Sequence, residues 1–99
     1  MNRFTLSLEA AHDIRNIWSY IARDNIRAAK HVRLRISGAC TNIAKHPRMG
    51  HCREDLTSKP VLFWLVDSYL IVYNPESRPI EIIRVLHAAL DIPEILTAT

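Results

Sequence analysis

Residues 69–92, YLIVYNPESRPIEIIRVLHAALDI, decide the fold of this chain. Two apolar runs rich in β-branched side chains, Tyr69–Tyr73 and Ile80–Leu86, flank a connector of turn-forming residues, Asn74–Pro79. This pattern predicts a β-hairpin with a longer loop. The second run is apolar on both of its faces, which is typical of a strand in the middle of a sheet.

Side chains alternate between the two faces of a strand, so the second run also predicts which residues share a face. We expect Ile80, Ile82 and Leu86 on one side, and Ile83 and Val85 on the other. Arg84 would then lie on the side of Ile82 and Leu86. Two polar residues, His87 and Asp91, follow just beyond the strand.

The composition indicates one compact domain. The chain has 99 residues, near the common domain size, and 48% of them are hydrophobic. A net charge of +3 permits an acidic partner or nucleic acid but demonstrates neither. Cys40 and Cys52 form no CxxC motif, so reduced thiols in a cytosolic protein are the simplest interpretation. No apolar run resembles a signal peptide or a membrane span, and we expect a soluble, cytoplasmic protein.

The N-terminal residues predict a short strand and then a helix. Residues 3–8 alternate polar and apolar side chains, as a half-buried strand does. The buried face would hold Phe4, Leu6 and Leu8. Residues 9–23 carry an apolar stripe at helical spacing, and Ser7 is the expected N-cap.

A second helix is expected from about Ile26 to Lys45. Asp24 and Asn25 interrupt the first apolar stripe and supply a new cap, and Pro47 ends the second helix. Gly38 lies inside it, at a cost of about 1 kcal/mol relative to alanine. We expect this glycine to let the two helices approach closely.

Four cations lie largely off the buried stripe of the second helix. They are Arg27, Lys30, Arg33 and Lys45. A solvated basic face is the simpler interpretation, and a landing surface for an acidic partner is the alternative. Binding of phosphate alone would need a denser cluster, usually with interleaved aromatic residues.

Several potential metal ligands lie in or near the connector that spans residues 46–60. They are His31, His46, His51 and Cys52. Their spacing fits neither a zinc finger nor an HExxH motif. We therefore predict no metal site, no cofactor and no catalytic residue among them.

Residues 61–66, VLFWLV, predict another strand, and Asp67-Ser68 supplies the turn into Tyr69. The outline is β-α-α-β-β-β, an α+β domain with a helical hairpin packed on one face of a largely antiparallel sheet. Two helices cover only one face, so we expect apolar surface on the far face to mark a partner site. Coverage of that face by the C-terminal tail is the alternative.

The ordered set of residues resembles ParE-type toxins of the RelE/ParE superfamily of bacterial toxin–antitoxin systems. The second half supplies Tyr69-x-Ile71-x-Tyr73, then Ile80-x-Ile82-x-Arg84-Val85-x-His87, then Asp91. The first half supplies Ala11-x-Asp13-Ile14, Trp18-x-Tyr20-Ile21-Ala22, Ala28-Ala29, Ile43, Pro47, Gly50, Arg53 and Asp55-Leu56. The resemblance covers nearly the whole chain and implies a single RelE/ParE-like domain over residues 1–99.

The resemblance implies a toxin that inhibits DNA gyrase and is neutralised by a cognate antitoxin, a small ParD-like or similar protein. Such an antitoxin carries a DNA-binding N-terminal part and a C-terminal segment that wraps the toxin, so DNA would be contacted only through it. Function would then reside in a surface instead of covalent chemistry. The residues that we predict to contact target or antitoxin are Arg53, Tyr69, Tyr73, Arg84, His87 and Asp91.

One position departs from the family pattern. Members commonly end this strand with His-x-x-Arg-Asp, whereas this chain has Leu90 directly before Asp91. The substitution removes a fixed cation with five hydrogen-bond donors. It keeps open a non-toxic relative that still binds an antitoxin.

A RelE-like, ribosome-dependent mRNA endonuclease is the alternative from another functional class. Cleavage would need a general base, a general acid and cations for the developing negative charge. His87 and Arg84 would have to serve as a reduced acid–base pair, with Arg53 or Lys59 as a third cation. For Arg84, pairing with Glu81 or Asp67 is the structural alternative.

Overall fold

The computed structural model describes residues 3–97. Its elements in chain order are β1 (Phe4–Leu6), α1 (Leu8–Ala22), α2 (Ile26–Lys45), β2 (Leu62–Val66), β3 (Tyr69–Asn74), β4 (Ile80–His87) and α3 (Ile92–Thr97). The predicted β-α-α-β-β-β order is confirmed, and one short C-terminal helix follows it. The predicted α+β class is confirmed as well.

Local capping decides where the first two helices begin. Ser7 Oγ accepts a hydrogen bond from the Ala10 backbone at 3.0 Å, and Asn25 Oδ1 accepts one from Ala28 at 3.0 Å. α2 therefore has its predicted bounds. The prediction of a strand over residues 3–8 is too long, because the Ser7 cap makes Leu8 the first residue of α1. The Leu8 side chain is 81% exposed, not part of a buried face.

The four strands form one sheet in the order β1-β4-β3-β2. β1 runs parallel to β4, whereas β3 is antiparallel to both β4 and β2. The interior place of β4, predicted from its two apolar faces, is confirmed.

A β-bulge interrupts the pairing of β3 with β4. Val72 lies opposite Arg84, but the next residue, Tyr73, lies opposite Ile82. Ile83 is therefore an extra residue in β4, and such an insertion shifts the alternation of all later side chains.

The bulge makes our assignment of side chains to faces wrong in its second half. Val85 packs in the same apolar cluster as Ile80 and Ile82, on the face toward α1 and α2. Leu86 packs in the other cluster, together with Ile83. Strict alternation would have exchanged Val85 and Leu86.

The far face of the sheet is covered by the chain itself, which corrects our expectation of an open apolar face. Its buried cluster consists of Phe63, Leu70, Val72, Leu86, Ile92 and Leu96. Ile92 and Leu96 belong to α3, and Leu56 of the connector and Val61, just before β2, pack at its border. Lys59 Nζ also donates a hydrogen bond to the Leu96 carbonyl at 2.9 Å, so the connector holds the end of α3. The alternative, coverage by the tail, is the arrangement found.

The expectation for Gly38 is wrong. A Cβ atom built on Gly38 meets no heavy atom within 4 Å outside its own stretch of helix. Contact between the helices therefore does not require a glycine at this position.

Candidate partner-binding surface

Side chains of α1 complete the outer edge of β4 where β1 has ended. The last residue pair of β1 with β4 joins Leu6 and Ile82. Beyond it, the Ser7 backbone nitrogen donates to the Ile82 carbonyl at 3.0 Å, and Ser7 Oγ donates to the Ile83 carbonyl at 2.7 Å. Asp13 then accepts a hydrogen bond from the Val85 backbone at 2.9 Å. The helix thus takes the place of a neighbouring strand.

Asp13 also binds Arg84 through two hydrogen bonds. Its Oδ2 accepts from Arg84 Nε at 2.8 Å, and its Oδ1 accepts from Nη2 at 2.9 Å. Only 16% of the Arg84 side chain and 12% of the Asp13 side chain are exposed. The hydrogen bonds to Asp13 raise the pKa of Arg84 above its ordinary value. Arg84 therefore forms a salt bridge, as its structural alternative predicts, but the partner is Asp13 and neither Glu81 nor Asp67.

An open groove lies further along the same two elements. The α1–β4 groove is lined by Asn16, Ile17, Tyr20, Tyr69, His87 and Leu90, and its volume is about 490 Å³. Tyr20 is 73% exposed and Leu90 is 50% exposed, so apolar surface faces solvent on both sides. Exposed aromatic and aliphatic side chains around a concave site are typical of protein contacts.

Two predicted residues, Tyr69 and His87, meet inside this groove. Their rings pack edge to face with centroids 5.4 Å apart. His87 Nδ1 accepts a hydrogen bond from the Ala89 backbone at 3.0 Å. Burial raises the pKa of Tyr69, and Tyr20 and Asp67 raise it further.

The other predicted residues lie elsewhere. Tyr73 is fully buried, and its hydroxyl donates to the Pro47 carbonyl at 2.7 Å while it accepts from the Gly50 backbone at 2.9 Å. Arg53 pairs with Asp55, two residues along the exposed connector. That connector borders a separate groove of about 390 Å³ over residues 52–61.

Asp91 is exposed at the start of α3, where its backbone carbonyl accepts from Ile95 at 3.2 Å. It follows the groove residue Leu90 directly in the chain. Of the six predicted residues, the structure thus brings Tyr69 and His87 into one groove and puts Asp91 next to it in sequence.

Sequence reasoning placed Asp13 and Tyr20 only within the family pattern and Leu90 only as a departure from it, and it predicted no contact for any of the three. Asp13 lies three residues after Ala10 and four before Ile17, on the apolar stripe of α1. A carboxylate on such a stripe needs a cation or several donors, and this signal predicts a buried partner for Asp13. For Tyr20, no comparable signal exists in the sequence, because an exposed aromatic residue at a helix end is ordinary.

Residues 3–97 contain neither a metal-ligand cluster nor a membrane-spanning helix. In this range, no group of three or more histidine, cysteine or acidic side chains is arranged to hold a metal ion. The same residues include no helix with both the length and the apolarity to cross a membrane.

Comparison with known families identifies the chain. Residues 4–92 match the sequence model described as ParE toxin of type II toxin–antitoxin system, parDE. The chain belongs to the ParE toxin family. It is therefore the toxin component of a type II toxin–antitoxin system, and this membership implies a cognate antitoxin as partner.

A solved structure agrees with this assignment at the level of the fold. The chain is similar to one titled "Chromosomal ParDE TA system from P. aeruginosa", with a TM-score of 0.72 and 16% identity. The match covers 88% of this chain and 96% of the other. A search among curated proteins found no match.

Proposed function

We propose that this ParE toxin inhibits DNA gyrase through the α1–β4 groove and is neutralised by its cognate antitoxin. The groove carries the proposal, because it gathers Tyr69 and His87 with two exposed apolar side chains, Tyr20 and Leu90. A concave site of this kind can seat an apolar side chain of a protein target. Asp91 borders the groove residue Leu90 in sequence and is a further contact candidate.

The same site supports an inhibitor better than a ribonuclease. The cations that the nuclease alternative would need are engaged elsewhere: Arg84 binds Asp13, Arg53 binds Asp55, and Lys59 binds the Leu96 carbonyl. Arg53 and Lys59 line the connector groove and not the α1–β4 groove. His87 therefore has an aromatic neighbour, Tyr69, in place of a cationic one.

For the antitoxin, we propose docking at the open edge of β1. The Arg3 carbonyl and the Ser7 nitrogen bond inward to β4, so in a parallel ladder the backbone groups of Phe4 and Leu6 point outward. Beside this edge lies an apolar slot of about 200 Å³, which is lined by Phe4, Leu6, Ile14, Arg33, Ile36, Ser37 and Cys40. An extended segment with an apolar side chain for the slot and an acidic group for Arg33 would fit. Arg53 remains a second candidate for antitoxin contact.

The Leu90 departure favours one further candidate, a relative that binds its antitoxin but is not toxic. Leu90 lies in the groove itself, so an arginine there would place a cation beside Tyr20. This candidate and gyrase inhibition differ in one respect only, namely whether the groove still recognises a target.

Expression with and without the antitoxin separates these functions. Gyrase inhibition is supported if the chain alone stops growth, causes DNA double-strand breaks and inhibits supercoiling by purified gyrase. Rapid cleavage of translated mRNA would instead establish the nuclease, and normal growth would establish the non-toxic relative. Tyr20→Ala should weaken toxicity severalfold, and Leu34→Ala, at another exposed apolar residue, should not. The Leu6→Asp variant should lose the antitoxin.

A further inference from the structure

We infer that Asp13 and Arg84 are positioning residues that set the shape of the α1–β4 groove without contacting its occupant. Their recognition role rests on the proposed function of that groove. Neither residue lines the groove, and both side chains are largely buried. The effect would be transmitted through α1.

The positions along α1 carry the argument. Asn16 and Ile17 lie three and four residues after Asp13, and Tyr20 lies four and three residues after them, so all four share one face of the helix. Asp13 is tied to Arg84 and Val85, whereas the later residues of this face lie across the groove from His87 and Leu90. The same helix face is therefore fixed to β4 at its start and separated from it by an open groove about two turns later.

The bonding of Asp13 makes this attachment directional. One carboxylate accepts three hydrogen bonds: two come from the rigid guanidinium fork of Arg84 and one comes from the β4 backbone at Val85. A planar pair held to the backbone as well as to a side chain fixes the orientation of α1, and not only its distance from β4. Loss of the fork would let the Tyr20 end of α1 move relative to Leu90.

The tyrosines of the chain provide the test. The protein has three: Tyr20 and Tyr69 line the groove, and Tyr73 is buried near Gly50. In protein labelled with 3-fluorotyrosine, Asp13→Asn should shift the ¹⁹F resonances of Tyr20 and Tyr69 and leave that of Tyr73 in place. Arg84→Lys, which keeps the charge but not the fork, should shift the same two resonances.

Glu9→Gln is the matched control. Glu9 is an acid on the same helix that acts on Arg84 through charge alone, whereas Asp13 also forms hydrogen bonds. The control should leave all three resonances unchanged. The inference is overturned if folded Asp13→Asn protein shows unchanged Tyr20 and Tyr69 resonances, if Tyr73 moves as much as they do, or if Glu9→Gln gives the same shifts.

A double-mutant cycle for growth inhibition tests the recognition role separately. If the Asp13–Arg84 pair acts through the groove, Asp13→Asn should weaken inhibition severalfold on its own and add little once Tyr20 is alanine. If the effects of Asp13→Asn and Tyr20→Ala on growth inhibition add, the recognition role of Asp13 is overturned. A wild-type chain without toxicity would overturn the proposed function, while the ¹⁹F shifts would still decide whether the Asp13–Arg84 pair shapes the groove.

Discussion

The hydroxyl of Tyr73 lies 2.9 Å from the backbone nitrogen of Gly50 and accepts its hydrogen bond. The same hydroxyl donates to the Pro47 carbonyl, so one buried side chain of β3 holds the start of the connector in two places. The residue after Gly50, His51, pairs with Phe63 of β2 through two backbone hydrogen bonds, so this part of the connector is held to β2 as well as to β3.

Tyr73→Phe should lower the free energy of unfolding by about 1–3 kcal/mol, because the Gly50 N–H and the Pro47 carbonyl would both lose their partner. Urea denaturation measures the change. Tyr69→Phe is the control, since no hydrogen bond of the Tyr69 hydroxyl is found within residues 3–97. Equal losses in both variants would contradict a specific role for the Tyr73 hydroxyl.

The two glycines should respond to alanine in opposite directions. A Cβ atom on Gly50 would lie 2.6 Å from the Tyr73 hydroxyl and 2.9 Å from the Phe63 carbonyl oxygen, so Gly50→Ala forces the backbone to shift. We expect a loss of about 1–3 kcal/mol. Gly38→Ala meets no neighbour in a helix interior and should gain up to about 1 kcal/mol. Thermal unfolding of the two variants side by side measures both signs, and a stabilised Gly50→Ala would refute the close contact.

The thiol of Cys40 should make stability fall in alkaline solution. Burial raises its pKa from the ordinary value of 9.0 to about 12, so the folded state keeps a proton that the unfolded chain releases above about pH 9. The free energy of unfolding attributable to this group should therefore decrease between pH 9 and 12, by at most about 1.4 kcal/mol per pH unit.

Urea denaturation under reducing conditions, repeated from pH 8 to pH 11, measures this dependence. Tyrosines ionise in the same range, so the informative quantity is the difference between wild type and Cys40→Ala, which should have the shallower slope. Cys52→Ala, at the exposed cysteine, should match wild type. Parallel slopes for wild type and Cys40→Ala would show that the thiol does not contribute.

Leu96→Ala should open the far face of the sheet. Leu96 is 3% exposed and packs in the cluster beneath α3, so its truncation should cost about 2–5 kcal/mol. It should also increase binding of a hydrophobic dye by the folded protein. Glu94→Ala, at an exposed position of the same helix, should do neither. Unchanged stability of Leu96→Ala would mean that α3 is not needed to cover the sheet.

The helices could be read from the sequence because their signals are local. Asn25 and Pro47 lie within two residues of the ends of α2, and Ser7 caps α1 through a bond to a residue three positions away. Such contacts depend on chain neighbours that any reader of the sequence can see. The resemblance to ParE toxins rests on the same kind of ordered local residues.

The features that could not be predicted from the sequence depend on contacts between residues that are far apart in the chain. Arg84 finds its partner 71 positions away, and Glu81 and Asp67, which are closer in the chain, carry the same carboxylate group. The extra residue at Ile83 leaves no trace in composition or alternation, because the strand is apolar on both faces. α3 has only six residues, too few for a periodic pattern to show that it would cover the sheet.

The bulge at Ile83 decides which face of the sheet each later residue of β4 occupies. If Ile83 stayed in the strand without the bulge, strict alternation would turn Leu86 toward the two long helices, Val85 toward α3, and His87 away from Tyr20 and Asn16. Deletion of Ile83 would instead remove the bulge and leave these later residues on the faces that they now occupy. The α1–β4 groove, which we propose as the contact surface of this toxin, thus depends on an irregularity in β4 that lies before the groove residue His87.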